Sequence, residues 1–373
     1  MTLFRWLAAL AAFACCGLLA PRAQAYPQFT LKGLGDCGSC HHSPYGGGLP
    51  NRWGRESLDV AFGKDSGIGP VNDDLTYDEA QPMQLKLDLG ADVRLVPLFG
   101  TDGDGSLGPT VIPMVTEVGG AAALGRFTVY GTVTAKKIAG SGPSYVLGSR
   151  EHWLGYHAGT GVDVRLGRMV LPFGIRQPDH TQYAREDFGF DKWDQSYGIE
   201  ADVRRDGWSL FANVFAGDLT QVPSERQERG VVVTPVLELG DGAALGLSAL
   251  GSTSTAYNRV AGSLFGRAPL VAGTYVMAEV ALQHDAAKDG DETLTTIAEY
   301  LRAGWFARPE LDVFLEAGHR SFFDDEALTK ARLGVGANWQ LFNWLEVAPQ
   351  VFAESRSDLP SRVIGMVQVH LVY

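Results

Sequence analysis

The chain has 373 residues, a formal charge of -12, 46 glycines and only 20% charged residues. This acidic balance offers no cationic track for phosphates, and no basic stretch is interleaved with aromatics, so nucleic acid is excluded as a partner. The length admits one or two domains, and the absence of any run of about 18 apolar residues after the N-terminal stretch argues against helical membrane spans.

Residues 1–25 read as an export signal. Arg5 supplies the positive end, Leu7 to Ala20 form a short apolar run, and Ala23-Gln24-Ala25 is a small-x-small cleavage site. Cys15 and Cys16 lie within that run, which leaves Cys37 and Cys40 as the cysteines of the exported chain. Two cysteines do not make a disulfide framework.

Residues 26–82 are rich in Gly, Pro and Asp and show no periodicity. Within them Cys37-Gly38-Ser39-Cys40-His41 matches C-x-x-C-H, the attachment motif of c-type haem. Two thiols at this spacing add to the two vinyl groups of one haem, and the following His ligates the iron. The alternatives are a plain dithiol or disulfide, and a zinc site that would need His42 beside the crowded His41. In the Gly-rich stretch that follows, Tyr45, Leu49 and Trp53 are candidates to cover a haem face, and Arg52 and Arg55 to meet its propionates. Met83, His157 and His152 are candidates for the second axial ligand. The expected cofactor is one covalent haem c.

From Met83 to Tyr373 the chain alternates with period 2. Leu85, Leu87, Leu89, Ala91, Val93 and Leu95 share one face, with Lys86, Asp88, Asp92 and Arg94 on the other. Tyr197, Ile199, Ala201 and Val203 oppose Glu200, Asp202 and Arg204. Leu333, Val335 and Trp339 oppose Arg332, Asn338 and Gln340. These runs are nearer the roughly 9–11 residues of a membrane-crossing strand than the about 5–6 of an ordinary one. Tight turns are expected at Asp206-Gly207, Gly240-Asp241-Gly242, Arg308-Pro309 and Phe342-Asn343. Longer loops are expected at 97–109, 172–195, 218–228, 321–327 and 355–361.

Fifteen strands are directly legible. Both chain ends can lie on one side only if the number is even, and counting from each end requires one more strand, placed at 256–267. The expected fold is therefore an all-β, antiparallel transmembrane barrel of 16 strands, with 14 as the alternative. A small irregular or helical haem segment precedes it. Trp153, Tyr156, Trp208, Trp305, Trp339 and Trp344 are candidates for interfacial girdles. The loop at 172–195, with Arg176, Asp179, His180 and Arg185, is a candidate to fold inward and narrow the pore. Thr101 to Ser106 has the front half of a calcium loop, but Pro113 stands where the closing Glu belongs.

On residues 37–41, the barrel pattern, and the pieces Leu166-Gly167-Arg168, Pro172-Phe173-Gly174-Ile175-Arg176 and Asp179-His180, the chain resembles bacterial outer-membrane porin-like proteins that carry a C-x-x-C-H segment before the barrel. It is loosely similar to the porin–cytochrome electron-transfer group. The resemblance implies an outer-membrane protein, not an enzyme, with one haem on the periplasmic side taking part in electron transfer. A passive diffusion porin with a plug or docking segment, or a barrel-tethered haem enzyme, are the other readings. The implied partners are redox proteins, the lipid bilayer, small solutes or ions in the lumen and, as one option for the assembly, a second and third copy in a homotrimer. Multi-haem conduits carry many such motifs and this chain has one, and a lone haem cannot span the ~30 Å hydrocarbon layer.

Overall fold

The computed structural model describes residues 37–46, 48–52, 54–55, 83–102, 105–137, 145–176, 182–186, 188–190, 194–218, 227–271, 273–323, 329–342, 344–357 and 360–372. The expected export signal at 1–25, Trp53, Asp179 and His180 fall outside them, as does most of segment 26–82.

One antiparallel sheet accounts for the wall. Its strands are β1 (Leu85–Asp102), β2 (Gly105–Leu124), β3 (Phe127–Lys137), β4 (Tyr145–Gly148), β5 (His152–Gly159), β6 (Val162–Val170), β7 (Gln195–Arg205), β8 (Trp208–Phe215) and β9 (Arg229–Gly240). They continue as β10 (Ala243–Thr253), β11 (Tyr257–Pro269), β12 (Thr274–Ala287), β13 (Thr293–Arg308), β14 (Leu311–Phe322), β15 (Lys330–Phe342), β16 (Leu345–Arg356) and β17 (Arg362–Val372). Each pairs with its neighbour in sequence, and β1 also pairs with β17, for example Val93 with Leu371, so the sheet closes and leaves no edge. The short β4 and β5 pair with successive parts of β3 and act as one stave. The 17 segments therefore form a barrel of 16 staves. The strand placed by parity at 256–267 is β11, which pairs over its length with β10 and β12.

The two faces of the wall invert the pattern of a soluble protein. Leu87 is 69% exposed and Leu333 65%, whereas Glu200 and Asp202 are 0%. Apolar side chains cover the outside and charged ones line the inside, as required of a sheet whose solvent is lipid. Trp208, Trp305, Trp339, Trp344 and Tyr156 are all exposed and lie within a few residues of the short turns, so they form one belt at that end. Trp153 does not belong to it; it is buried and stacks on Tyr130 inside the barrel.

The short-turn end carries the connections at 125–126, 160–161, 206–207, 241–242, 309–310 and 343–344, and the barrel's first and last strands both have their free ends there. At Gly240-Asp241-Gly242 all three residues have positive φ, and Asp241 is the lone non-glycine among the described residues to do so. One expected loop is mostly strand. Residues 97–109 lie largely within β1 and β2, which pair as far as Asp102 with Gly105. Pro97, Pro109 and Pro113 suggest a loop, but register shifts at Arg94/Leu95 and Leu98/Gly100 absorb the irregularity, and the neighbouring Val96, Phe99, Val111 and Ile112 favour strand.

Candidate functional site: the occupied lumen

Two segments enter the barrel. The first is residues 37–55. Cys37–Cys40 form a single helical turn, closed by the His41 amide donating to the Cys37 carbonyl at 3.0 Å. The chain then reverses, with His41 bridging Pro50 and the Asn51 amide donating to the Cys40 carbonyl at 2.9 Å. Gly46 permits the reversal at φ 92; a Cβ there would stand 3.1 Å from the Cys37 Cβ.

This knot is seated on the wall by polar and apolar contacts. Asp88, on the inward face of β1, receives His42 Nε2 at 3.1 Å, the Arg52 amide at 2.9 Å and Arg55 Nη2 at 2.6 Å. The Leu49 amide donates to the Tyr130 hydroxyl at 3.2 Å, and Leu49 packs with Ala121, Tyr130, Trp153 and Met169. Tyr45 meets Phe211 edge-on and packs among Val236, Ala244 and Phe265. Asp88, Tyr130, Phe211, Val236, Ala244 and Phe265 all lie in the turn-side half of their strands, so the knot fills the short-turn end of the lumen.

The second segment is the long connection from β6 to β7. Its described residues fold inward, and they do so mainly through apolar side chains. Leu171, Phe173, Tyr183, Ala184, Phe188 and Phe190 pack against Phe215, Val232, Leu250, Ala261, Ala281 and Ala298 on the inner faces of β8 to β13. Backbone groups are tied to the wall: the Gly174 amide to Ser248 Oγ at 3.0 Å and the Ile175 amide to Glu279 Oε2 at 3.0 Å. The Tyr183 hydroxyl reaches across to Glu354 of β16 at 3.1 Å, and Arg332 of β15 lies over the Tyr183 ring. Arg185 is turned back onto the Phe173 carbonyl at 2.6 Å. The two segments also touch each other, because the Tyr45 hydroxyl donates to the Gly174 carbonyl.

The inner wall carries paired charges. Glu316 of β14 accepts from Arg302 Nη2 at 2.6 Å and from Arg332. Asp92 of β1 meets Arg94 at 2.9 Å and His370 of β17 at 3.1 Å. Arg165 of β6 pairs with Glu200 of β7. Lys86, Asp88, Arg94, Glu200, Arg204 and Arg332 all stand on the inward face that the alternation assigns them.

The expected covalent haem is overturned. Cys37 borders a cavity of about 70 Å³, shared with Tyr45, Arg176, Phe211 and Phe265. That is room for a handful of waters and not for a macrocycle. His41 Nδ1 is buried, and burial, then the neighbouring Arg176, lower the imidazole pKa to about 4. The ring is packed into the knot instead of facing an open ligand position. The Tyr45 hydroxyl is bonded to the loop and the Arg55 guanidinium to Asp88, so neither is turned to a ring edge, and Arg52 meets Asp88 through its backbone amide. Among the described residues no group of three or more His, Cys, Asp or Glu is arranged to hold a metal, which also removes the zinc alternative. Met83 is 74% exposed outside the wall, and His157 Nδ1 is bonded to Asp163 at 2.9 Å; neither is directed to His41. His152 is bonded to Ser149 and Tyr197. The residues that sequence reasoning missed are Asp88 and Tyr130 as anchors and Phe211 and Phe265 as the apolar seat. Asp88 was legible as lumen-facing, but nothing local names its partner.

No family model matches the chain, and no curated protein matches it. Its shape is nonetheless shared with solved outer-membrane barrels. The anion-selective porin of Comamonas acidovorans superposes with a TM-score of 0.60 at 11% identity, over 78% of this chain and 100% of that one. The outer membrane channel DcaP of Acinetobacter baumannii gives 0.59 at 12%, over 80% and 99%. OmpT of Vibrio cholerae, an outer membrane protein, gives 0.60 at 9%, over 78% and 98%. At these identities the likeness is one of fold: this chain is built as a 16-stranded, porin-like transmembrane barrel.

Proposed function

We propose that the chain is an outer-membrane diffusion porin whose residues 37–55 plug the lumen and whose β6–β7 connection narrows it. The short-turn end, with the chain ends, faces the periplasm, as is general for such barrels. What passes is a class of small polar or charged solutes, since the lumen wall presents paired Arg and carboxylate groups. The observation that carries the plug is the convergence of His42, the Arg52 amide and Arg55 on Asp88 inside the barrel. A segment that merely linked a signal to a barrel has no need of a buried charged anchor, because leaving such groups unpaired costs about 1–3 kcal/mol each. A homotrimer is the assembly we attach to this reading, and its sedimentation in detergent reports on it separately.

The test is conductance. Full-length protein and a chain lacking residues 37–55 are reconstituted in planar bilayers, with correct folding checked by resistance of the barrel to detergent at room temperature. The shortened chain is expected to conduct several-fold more per channel. Equal conductance of the two folded chains sinks the plug.

A further inference from the structure

With haem excluded by the space around it, the Cys37–Cys40 pair has no assigned chemistry, yet it sits at the point where the plug is held together. We infer that Cys37 and Cys40 form a thiol–disulfide exchange site, and that closing their disulfide unseats the plug. This inference rests on the plug reading above.

Neither cysteine is in a disulfide, both are half-buried, and they lie three residues apart on one helical turn. On a helix such positions have Cβ atoms about 5–6 Å apart, whereas a disulfide needs about 3.8 Å. The turn must therefore tighten when the bond forms. The turn is closed by one helical hydrogen bond, from the His41 amide to the Cys37 carbonyl, and the next turn of the knot hangs on the Cys40 carbonyl through the Asn51 amide. A Cβ at Gly46 would stand 3.3 Å from Cys37 Sγ, and one at Gly54 would stand 2.1 Å from the Cys40 carbonyl oxygen, so the knot's backbone passes close to this turn only because both positions are glycine. His41 and His42 follow the turn directly, and His42 holds Asp88. Tightening the turn thus strains the anchor of the plug, and Cys37 also leaves its place beside Arg176 and Tyr45.

The partner is an external disulfide. The thiolate of one cysteine attacks it, forming a mixed disulfide and releasing one thiol. The second cysteine then attacks the protein sulfur of that mixed bond, closes Cys37–Cys40 and releases the second thiol. Two protein thiols are oxidised, one external disulfide is reduced, and the two protons leave on the released thiols.

The experiment uses full-length protein in planar bilayers, with oxidised glutathione in one arm and an oxidised dithiol oxidoreductase in another. The expected result in at least one arm is the loss of two hydrogens in intact mass, with a several-fold rise in conductance that dithiothreitol reverses. The double substitution Cys37→Ser with Cys40→Ser is expected to stay at low conductance in every arm. Response to glutathione identifies a small disulfide as sufficient; response to the enzyme alone identifies a protein source. Three results overturn the inference: no disulfide in either arm, a disulfide with unchanged conductance, or a double-serine chain that responds as the parent does. If deleting residues 37–55 opens the pore and oxidation does not, the exchange site fails alone. If the deletion has no effect, the plug itself has failed.

Discussion

Asp88 concentrates the plug's polar contacts on one side chain. Its Oδ2 receives both His42 Nε2 and the Arg52 amide, and its Oδ1 receives Arg55 Nη2. Hydrogen bonds to a charged group are worth about 1.5–3 kcal/mol each, and an amide of the same shape loses the charge and turns one accepting oxygen into a donor that faces a donor. Asp88→Asn is therefore expected to weaken seating by about 2–3 kcal/mol without unfolding the barrel, whose wall hydrogen bonds it does not touch. Single-channel recordings should show frequent openings to the level of the plug-deleted chain; recordings identical to the parent would remove Asp88 as the anchor. The sequence placed Asp88 on the lumen face because Leu87 and Leu89 flank it. It could not name the partner, since a period-2 pattern fixes which way a side chain points and says nothing of what lies across a lumen. The same limit explains the haem. C-x-x-C-H is a local pattern, but attaching a macrocycle needs space, and the space is set by Tyr45 together with Phe211 and Phe265, which lie more than a hundred residues further along the chain.

Strands were the most legible elements, because lipid outside and water inside impose opposite chemistry on alternate residues. Even β11, with its weak run Asn258-Arg259-Val260-Ala261, was recoverable from the requirement that both chain ends lie on one side. The hairpin at 97–109 was misread because prolines suggest a loop, whereas a bulged ladder accommodates them. In the proposed reading the β6–β7 connection is the element that sets what passes. Its Tyr183 meets the wall of β14 to β16, where Arg302 and Arg332 share the single carboxylate of Glu316. Glu316→Gln removes one negative charge and leaves two guanidinium groups facing the narrowed passage. Because rings of fixed charge set ion preference, the reversal potential in a potassium chloride gradient is expected to move toward that of chloride. No movement, or movement toward potassium, would show that the current does not run past this wall.

At the scale of the whole molecule, plug, inward loop and wall meet at His41, and this gives seating a pH dependence. Burial lowers the His41 pKa from 6.5 to about 4, helped by Arg176 of the loop, His42 of the plug and Arg94 of β1. Released into water, the same imidazole titrates at its ordinary value. Above about pH 6.5 it is neutral in both states and seating is unaffected. As pH falls from 6.5 toward 4, the released plug takes up a proton that the seated one cannot, so seating is lost progressively, by up to about 3 kcal/mol. Below about 4 both states are protonated and the penalty is constant. The inward loop shares the effect, because the Tyr45 hydroxyl that holds Gly174 belongs to the same knot. Conductance is therefore expected to rise between pH 6.5 and 4. In a His41→Gln chain, which has no imidazole to charge, that rise should flatten while conductance at pH 7 stays low. A parent whose conductance is flat or falls over this range, or a glutamine variant that opens as steeply as the parent, would place the proton elsewhere.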